Sequence, residues 1–324
     1  MTKTAIITGI SGQDGSYLAE HLVQKGFRVI AYLRPKSLGL GNAVHLSGKV
    51  ATRSFPTDSQ SHWDSWFREE QPDELYHLAG CSFIPDSWQD PVATNASNID
   101  WPTRLLESVR RYSPATRVLF ASSSAIFGLP TVSPQNEFTP TMPVTPYGIS
   151  KATIGWMIEA YRQHYGLYLS NAILFNHESP RRPARFVTRK ISQAVAAIQA
   201  GKQNKLVLGS LDVSRDWGFA GDYVDAMQRM LQLDHPEDFV IGSGRLESLR
   251  DLVKIAFELV GLDYRDYVES DAAFVRQTEP KALVADVSKA AKLLDWKATT
   301  TMPELVTMMV KSDIERLRSS KLAA

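Results

Sequence analysis

Short apolar segments alternate with amphipathic segments through the first half of the chain. Thr4–Thr8 and Arg28–Leu33 are runs typical of buried strands, and Gln13–Gln24 between them has the apolar spacing of a helix. The same pattern predicts further strands at Glu74–Leu78, Arg117–Ala121 and Tyr168–Phe175, and helices near Pro91–Arg111 and Pro146–Tyr165. Strands that alternate with helices in this way predict an α/β fold with a Rossmann-type, doubly wound parallel sheet.

The pattern changes at about Asn176. A segment rich in arginine and proline, NHESPRRPARF, is followed by short strands and by helices predicted near Val187–Ala200, Ser248–Val260 and Met302–Leu317. We therefore predict a smaller α/β substrate domain in the carboxyl-terminal half. Residues 1–175 are assigned to the dinucleotide-binding domain, to which the chain returns near 211–242, and residues 176–210 and 243–324 to the substrate domain.

Composition excludes several classes of protein. The chain has 36 Lys and Arg residues against 35 Asp and Glu residues, so no overall charge attracts a nucleic acid or an anionic membrane. One cysteine excludes a disulfide framework and a cysteine-based zinc site, and the histidines lack metal-ligand spacing. No signal-peptide pattern or membrane-length apolar run is present. We expect a cytoplasmic protein without a metal and without nucleic-acid or membrane partners.

A glycine-rich segment, TGISGQDG, joins the first predicted strand to the first helix. Gly9, Gly12 and Gly15 permit a tight turn and a close backbone approach to a pyrophosphate, which would lie at the helix amino terminus. The spacing is GxxGxxG rather than GxGxxG, and its place at the first strand–helix junction favours a dinucleotide site over a structural turn. Gln13 and Asp14 lie in the same segment and are predicted to contact the cofactor.

The end of the second strand predicts which dinucleotide is bound. An Asp or Glu there would accept hydrogen bonds from the ribose of NAD, but the chain has Arg34 and Lys36, which suit a 2′-phosphate. We therefore predict NADP, while solvated loop charges are the alternative reading. Leu78 and Ala79, at the carboxyl end of the predicted strand Glu74–Leu78, are also expected in the cofactor site.

Candidate catalytic residues lie in SSSA and PYGISK. Tyr147 and Lys151 are four residues apart on a predicted helix and so share a face. The lysine cation and an oxidised nicotinamide would favour the tyrosine phenolate, which could then move the proton of a sugar hydroxyl during hydride transfer. Three serines, Ser122, Ser123 and Ser124, follow the strand Arg117–Ala121, and a hydroxyl there would hydrogen-bond the reacting oxygen at the same sheet edge.

These motifs resemble the extended short-chain dehydrogenase/reductases that modify nucleotide sugars. The resemblance is greatest to the GDP-mannose 4,6-dehydratase family and extends over nearly the whole chain. It rests on TGISGQDGSYLAEHL, QPDELYHLAG, PQNEFTP, PYGISK, NHESPRR, FVTRKI, LGSLDVSRDWG, DYVDAM and RQTEP.

The resemblance implies roles for individual residues. Ser123 stands where the family has a catalytic threonine, and Tyr147 and Lys151 match directly. A GDP-linked sugar is the implied substrate, and the implied substrate-binding residues are Ser82, Ser124, Asn176, Arg182, Val187, Lys190, Arg215, Arg276 and Glu279. The family also suggests a homodimer through the helices near Pro91–Arg111 and Pro146–Tyr165, and leaves a tetramer open.

Two positions depart from the family pattern. The family's acid/base glutamate is Ala125 here, and the Asp that reaches the adenine aligns with Phe55. Loss of water from a 4-keto hexose needs a proton donor, whereas ketone reduction needs only Ser123, Tyr147, Lys151 and the nicotinamide. The leading hypothesis is therefore an NADP-dependent oxidoreductase, most simply a reductase of a GDP-4-keto-6-deoxy-hexose or heptose.

Three alternatives remain open. The first is a GDP-mannose 4,6-dehydratase whose acid comes from elsewhere, with Glu137 and Asp86 as candidates. The second is a GDP-sugar 4-epimerase. The third is a dinucleotide sensor that is not an enzyme.

Overall fold

Seven parallel strands form the central sheet of the computed structural model, which describes residues 2–34, 39–54, 59–271, 280 and 282–322. The strands of the chain are β1 (Thr4–Thr8), β2 (Arg28–Leu33), β3 (Ala51–Ser54), β4 (Glu74–His77), β5 (Arg117–Ala121), β6 (Leu169–Leu174), β7 (Asn176–Glu178), β8 (Leu206–Leu208), β9 (Ser214–Arg215), β10 (Trp217–Phe219), β11 (Phe239–Ile241), β12 (Glu247–Ser248), β13 (Val268–Ser270) and β14 (Ala282–Leu283). The helices are α1 (Gln13–Gln24), α2 (Gln60–Glu70), α3 (Ile84–Gln89), α4 (Pro91–Asn95), α5 (Trp101–Tyr112), α6 (Pro146–Tyr165), α7 (Val187–Gln199), α8 (Ala220–Met230), α9 (Leu249–Glu258), α10 (Ser288–Leu293) and α11 (Met302–Leu322).

The strand order of the central sheet is β11-β6-β5-β4-β1-β2-β3. The direction in which successive strands are added reverses between β1 and β4, so a crevice opens beyond the carboxyl ends of these two strands. Ligands of doubly wound folds bind at this kind of switch point. The Rossmann-type parallel sheet predicted from the sequence is confirmed.

Helices cover both faces of the sheet. One buried cluster joins α1 and α8 to one face, and a second joins α2, α5 and α6 to the other. Strands buried on both faces are largely apolar, and β6 is buried at all six positions, of which Ser170 and Asn171 are polar. The apolar faces of the helices therefore enclose the sheet and leave its carboxyl edge to carry polar groups.

The second half of the chain adds three small sheets, β7–β10, β12–β9–β14 and β8–β13, and a cluster of apolar residues from α7, α9 and α11. Of the segment predicted to return to the central sheet, only β11 pairs in it, with β6. The strands β9 and β10 lie in the small sheets. The division into two domains at the predicted boundaries remains a prediction.

Two differences from the predicted elements concern the first half. Helix α2 was not predicted. The helix predicted near Pro91–Arg111 is divided into α4 and α5 by a π-helical turn, Ala96–Asp100.

Among the residues that the structure describes, no helix combines the length and apolarity that a membrane crossing requires. The cytoplasmic location remains a prediction.

Candidate active site

The glycine-rich segment lies at the switch point, between β1 and α1. Gly9 has φ +81°, and a Cβ built on it would lie 2.9 Å from the backbone N of Ala79, which follows β4. Gly15 is more constrained, since its Cβ would lie 2.3 Å from the carbonyl oxygen of Gly9 and 2.6 Å from the Cα of Ile10. No side chain fits at Gly9 or Gly15, so the backbone of α1 can lie close to the ends of β1 and β4.

The first turn of α1 has the properties of a pyrophosphate site. Gly12 is the exposed residue before the helix and provides no capping side chain, so the first-turn N–H groups lack intrahelical acceptors. These N–H groups and the positive end of the helix dipole favour a bound anion. Leu78 and Ala79 lie beside the segment, where their N–H groups each donate to Thr8 Oγ1 at 3.2 Å. The cradle that the glycines form therefore fits a dinucleotide.

An ion pair joins α1 to β7 at the edge of the crevice. The Asp14 carboxylate lies 3.0 Å from His177 Nε2, and Gln13 Nε2 donates at 3.0 Å both to Asp14 Oδ1 and to the His177 carbonyl. Burial alone would raise the pKa of Asp14, but the charge and hydrogen bond of His177 outweigh it and lower the value to about 2. The pKa of His177 is raised by Asp14 against the opposing effect of burial. The glycine-rich loop and the NHESP segment are thus held together.

Arg34 is exposed immediately after β2, at the same edge of the sheet as the glycine-rich segment. A residue at this position is expected to contact the adenosine ribose and so to distinguish NADP from NAD. Lys36 and Phe55, which sequence reasoning also placed near the adenosine, lie outside the described residues.

Tyr147 and Ser123 meet at the carboxyl edge of β5. Ser123 precedes a short 3-10 helix, Ser124–Phe127, and its hydroxyl accepts the Ala125 N–H at 3.2 Å. Tyr147 is buried in the first turn of α6. Burial raises the pKa of Tyr147, whereas a hydrogen bond with the Ser123 hydroxyl and the charge of Arg182 lower it. The neutral phenol is a proton donor at neutral pH.

Lys151 lies one turn along α6 from Tyr147. Its ammonium group donates to the Ala121 carbonyl at 2.7 Å, at the end of β5, and burial lowers its pKa to about 8. His77, at the end of β4, is also buried, and its Nδ1 lies 3.0 Å from Thr8 Oγ1. Burial and the neighbouring Lys151 lower the pKa of His77 to about 3, so this imidazole stays neutral beside the ammonium group.

Asn98 links the loop after β4 to α6 and was not identified from the sequence. It is buried in the π-helical turn, where its Nδ2 donates to the Cys81 carbonyl and to Ser150 Oγ, each at 3.1 Å. Its Oδ1 accepts the Cys81 N–H at 2.9 Å. Since Ser150 precedes Lys151, these bonds fix the loop after β4 relative to the part of α6 that carries Tyr147 and Lys151. The only sequence signal was a polar residue on the buried face of a helix.

The NHESPRR segment brings a cation near the phenol. Arg182 Nε lies 3.1 Å from Glu178 Oε2, and its guanidinium carbon is 3.6 Å from the centre of the Phe186 ring. The positive charge of Arg182 is among the influences that lower the pKa of Tyr147, against the larger, opposing effect of burial. Ser123, Tyr147 and Lys151 thus lie together at the carboxyl edge of β5, and Arg182 approaches them from the NHESPRR segment.

The remaining predicted substrate residues are distributed over several elements. Ser82 is exposed after β4, Ser124 is buried in the 3-10 helix, and Asn176 begins β7. Val187 and Lys190 lie in the first turn of α7, where Lys190 Nζ donates to the Val207 carbonyl at 2.7 Å. Arg215 is buried in β9, and Arg276 and Glu279 lie outside the described residues. Their roles in substrate binding remain predictions.

The two carboxylates considered as substitute acids are engaged elsewhere. Glu137 Oε1 accepts the Val240 N–H at 2.7 Å, at the edge strand β11 of the central sheet. Asp86, in α3, forms an ion pair with Arg185. Each carboxylate thus has a structural partner.

Comparison with known proteins is consistent with this geometry. The family model of GDP-mannose 4,6 dehydratase matches residues 6–309. GDP-mannose 4,6 dehydratase 1 of Arabidopsis thaliana is 41% identical over 99% of this chain and 92% of its own length, and the human GDP-mannose 4,6 dehydratase is 37% identical over 98% and 93%. Among solved structures, UDP-glucose 4-epimerase of Thermotoga maritima superposes with a TM-score of 0.86 and 23% identity over 97% of this chain and 99% of its own. RMD from Pseudomonas aeruginosa, complexed with NADPH, superposes with a TM-score of 0.79 and 22% identity over 97% and 100%.

The switch-point glycines and the Tyr147–Lys151 face define the chain as an extended short-chain dehydrogenase/reductase. Within that class it belongs to the GDP-mannose 4,6-dehydratase family, as the family model and the identities over almost the entire chain show.

Proposed function

We propose that this protein is an NADP-dependent oxidoreductase that reduces the ketone of a GDP-linked 4-keto-6-deoxy sugar. The observation that carries this proposal is Ala125, two residues after Ser123 in the turn that follows β5. A methyl group cannot hold the proton that departing water requires. Loss of a general acid costs about 10²–10⁴ in rate, whereas carbonyl reduction does not need this position.

The geometry supports each step of a reduction. The dinucleotide, when bound, supplies the hydride that reaches the carbonyl carbon. Ser123 would hydrogen-bond the carbonyl oxygen, and Tyr147 would give its proton to that oxygen as the new C–H bond forms. The Lys151 cation stabilises the resulting phenolate, which regains a proton from solvent. Burial keeps the pKa of Tyr147 high, so the phenol carries a transferable proton at neutral pH.

The alternatives differ in what they require of this site. A dehydratase with a substituted acid would have to free Glu137 from Val240 or Asp86 from Arg185. A 4-epimerase would use the same Ser123, Tyr147 and Lys151, but would return the hydride to the sugar it came from. A sensor would bind the dinucleotide without consuming it.

Two incubations separate these reactions. With NADPH and GDP-4-keto-6-deoxymannose, we expect the nicotinamide absorbance to fall in step with a sugar product heavier by two hydrogens. With NADP⁺ and GDP-mannose, we expect no product lighter by one water. Rapid loss of water from GDP-mannose would refute the reductase assignment. A new GDP-hexose of unchanged mass would identify an epimerase, and bound cofactor that no sugar oxidises or reduces would identify a sensor.

We also propose that Arg34 selects NADPH over NADH. Relatives of this fold have been solved with NADPH and with NAD, so the fold alone does not fix the choice. Arg34→Ala should weaken NADPH binding by about tenfold to a hundredfold and leave NADH nearly unchanged, because one charge-assisted contact to phosphate is lost. Fluorescence titration of both cofactors measures this. Arg28→Ala, at the opposite end of β2, is the control, and an equal loss for both cofactors would exclude Arg34 from the phosphate site.

The apolar surface around α6 supports the proposed homodimer. Ile149 and Trp156 are seven residues apart on α6 and about half exposed, while Trp88 and Val92 are 60% and 78% exposed on α3 and α4, which pack against α6. Large exposed apolar residues on helices that pack together are typical of an interface. Ile149→Glu with Trp156→Glu should give a monomer by sedimentation velocity, whereas Val44→Glu, on a distant exposed residue, should not. A monomeric wild-type protein would contradict this proposal.

A further inference from the structure

A segment of the second half of the chain, 179–186, begins against α1. Ser179 Oγ donates to Gln13 Oε1 at 2.8 Å, and Arg181 Nη1 donates to Ser16 Oγ at 3.0 Å. These bonds hold the start of the segment on the first turn of α1, the helix that follows β1.

The other end of the segment reaches the loop and the short helix α3 that follow β4. The rings of Phe186 and Phe83 meet edge to face, with their centres 5.1 Å apart. Arg185 forms an ion pair with Asp86, and its guanidinium carbon lies 4.6 Å from the centre of the Phe83 ring. Because β1 and β4 flank the switch point, segment 179–186 crosses the mouth of the crevice from one side to the other.

The two ends of the segment differ in how firmly they are held. At the α1 end, Ser179 is fully buried and the Arg181 side chain is 21% exposed. At the α3 end, the Arg185 and Asp86 side chains are 49% and 38% exposed. An ion pair between exposed side chains contributes little to stability, because water and salt screen it. We therefore expect the contact across the crevice to separate at the α3 end.

We propose that Phe83, Asp86, Arg185 and Phe186 form a latch across the crevice, which opens to admit and release the dinucleotide. This inference rests on the proposed function for the identity of the ligand, NADPH, but not on the reductase reaction. The latch holds the crevice closed in the free and in the bound protein alike. Its opening therefore limits association and dissociation to the same degree, and its loss raises both rate constants while the dissociation constant stays nearly the same.

Charge reversal in the full-length protein tests the ion pair of the latch. Asp86→Arg and Arg185→Asp each replace the pair by like charges, and we expect NADPH to associate and to dissociate about tenfold faster in either variant. Stopped-flow measurement of NADPH fluorescence gives both rate constants. The two substitutions change the net charge in opposite directions, so a rise common to both does not come from altered attraction of NADPH.

The combined variant, Asp86→Arg with Arg185→Asp, restores an ion pair of the opposite sense. Both rate constants should return to within about threefold of the wild-type values, because the two substitutions act on one contact. Rate constants that stay as high as in the single variants would contradict a latch made by this pair.

Phe83→Leu tests the aromatic contact without changing any charge. Leucine keeps an apolar side chain beside Phe186 but loses the edge-to-face arrangement of the rings. We expect both rate constants for NADPH to rise about threefold to tenfold, again with little change in the dissociation constant.

Arg28→Asp is the matched control. The Arg28 side chain is also 49% exposed and pairs with Glu70, but it lies at the amino-terminal end of β2, away from the crevice. Its rate constants should equal those of the wild type. Latch variants that exchange NADPH no faster than Arg28→Asp would overturn the proposal. A rise in the dissociation rate alone would also overturn it, because that result would mean that the side chains contact the dinucleotide directly.

Hydrogen exchange of the protein without NADPH examines the latch independently of the ligand. The amides of α3 should exchange about tenfold faster in Asp86→Arg and in Arg185→Asp, and regain protection in the combined variant. Wild-type protein that binds no NADPH would refute the proposed function, and the exchange of α3 would then decide whether these contacts hold the crevice closed.

Discussion

Tyr147→Phe should reduce kcat for ketone reduction by about 10²–10⁴-fold while leaving the binding of NADPH within a few-fold of wild type. The substitution removes the hydroxyl that bonds to Ser123 and keeps the aromatic ring that fills the buried site. The lost interaction is one that strengthens as charge develops on the sugar oxygen, so the effect belongs to kcat rather than to substrate affinity. Steady-state kinetics with a GDP-4-keto-6-deoxy sugar measures it.

A matched control lies on the same helix. Tyr161 is also in α6, and its hydroxyl donates to Glu107 Oε1 at 2.8 Å, away from the cleft. Tyr161→Phe should retain nearly wild-type kcat. If Tyr147→Phe were equally active, the proton would have to come from another group, and the assignment of Tyr147 as the acid would be wrong. If both variants lost activity, the cause would be a general disturbance of α6 rather than the missing Tyr147 hydroxyl.

The sequence predicted the helices and strands that are defined by residues close together in the chain. Strands β1 and β2 and helices α1 and α6 have the predicted bounds, because glycine and proline mark their ends and their periodicity is unbroken. Helix α2 was missed because Trp63, Trp66 and Phe67 do not distinguish a helix from a strand by composition. The two-residue strands β9, β12 and β14 could not be predicted, since only pairing between distant segments makes them strands.

The same distinction applies to the site. Ser123, Tyr147 and Lys151 were identified because short motifs at a sheet edge carry them. The contacts of Asp14 with His177 and of Asn98 with Cys81 join segments that are remote or irregular in the chain. No periodicity or spacing predicts such pairs, and the π-helical turn around Asn98 interrupts a pattern that reads as one continuous helix.

Gly15→Ala should destabilise the protein by about 3 kcal/mol and lower its affinity for NADPH at least about tenfold. The added Cβ would lie 2.3 Å from the carbonyl oxygen of Gly9 and 2.6 Å from the Cα of Ile10, and both are backbone atoms that no rotamer change can move. Relief requires the first turn of α1 to shift away from the loop, and that turn presents the N–H groups to the pyrophosphate. The apparent Tm should fall by roughly 5 °C, and NADPH titration should show the weaker binding.

Gly26→Ala separates this clash from the general cost of replacing a glycine. Gly26 lies just after α1 with φ +81°, exposed, and a Cβ there would meet nothing within 4 Å. The substitution adds only backbone strain, which lowers the free energy of unfolding by about 1 kcal/mol. It does not alter the crevice at the ends of β1 and β4. We therefore expect a smaller fall in Tm and unchanged NADPH affinity. If Gly15→Ala behaved like Gly26→Ala, the close approach of α1 to the loop would not be what holds the dinucleotide, and the glycine-rich segment would be a structural turn.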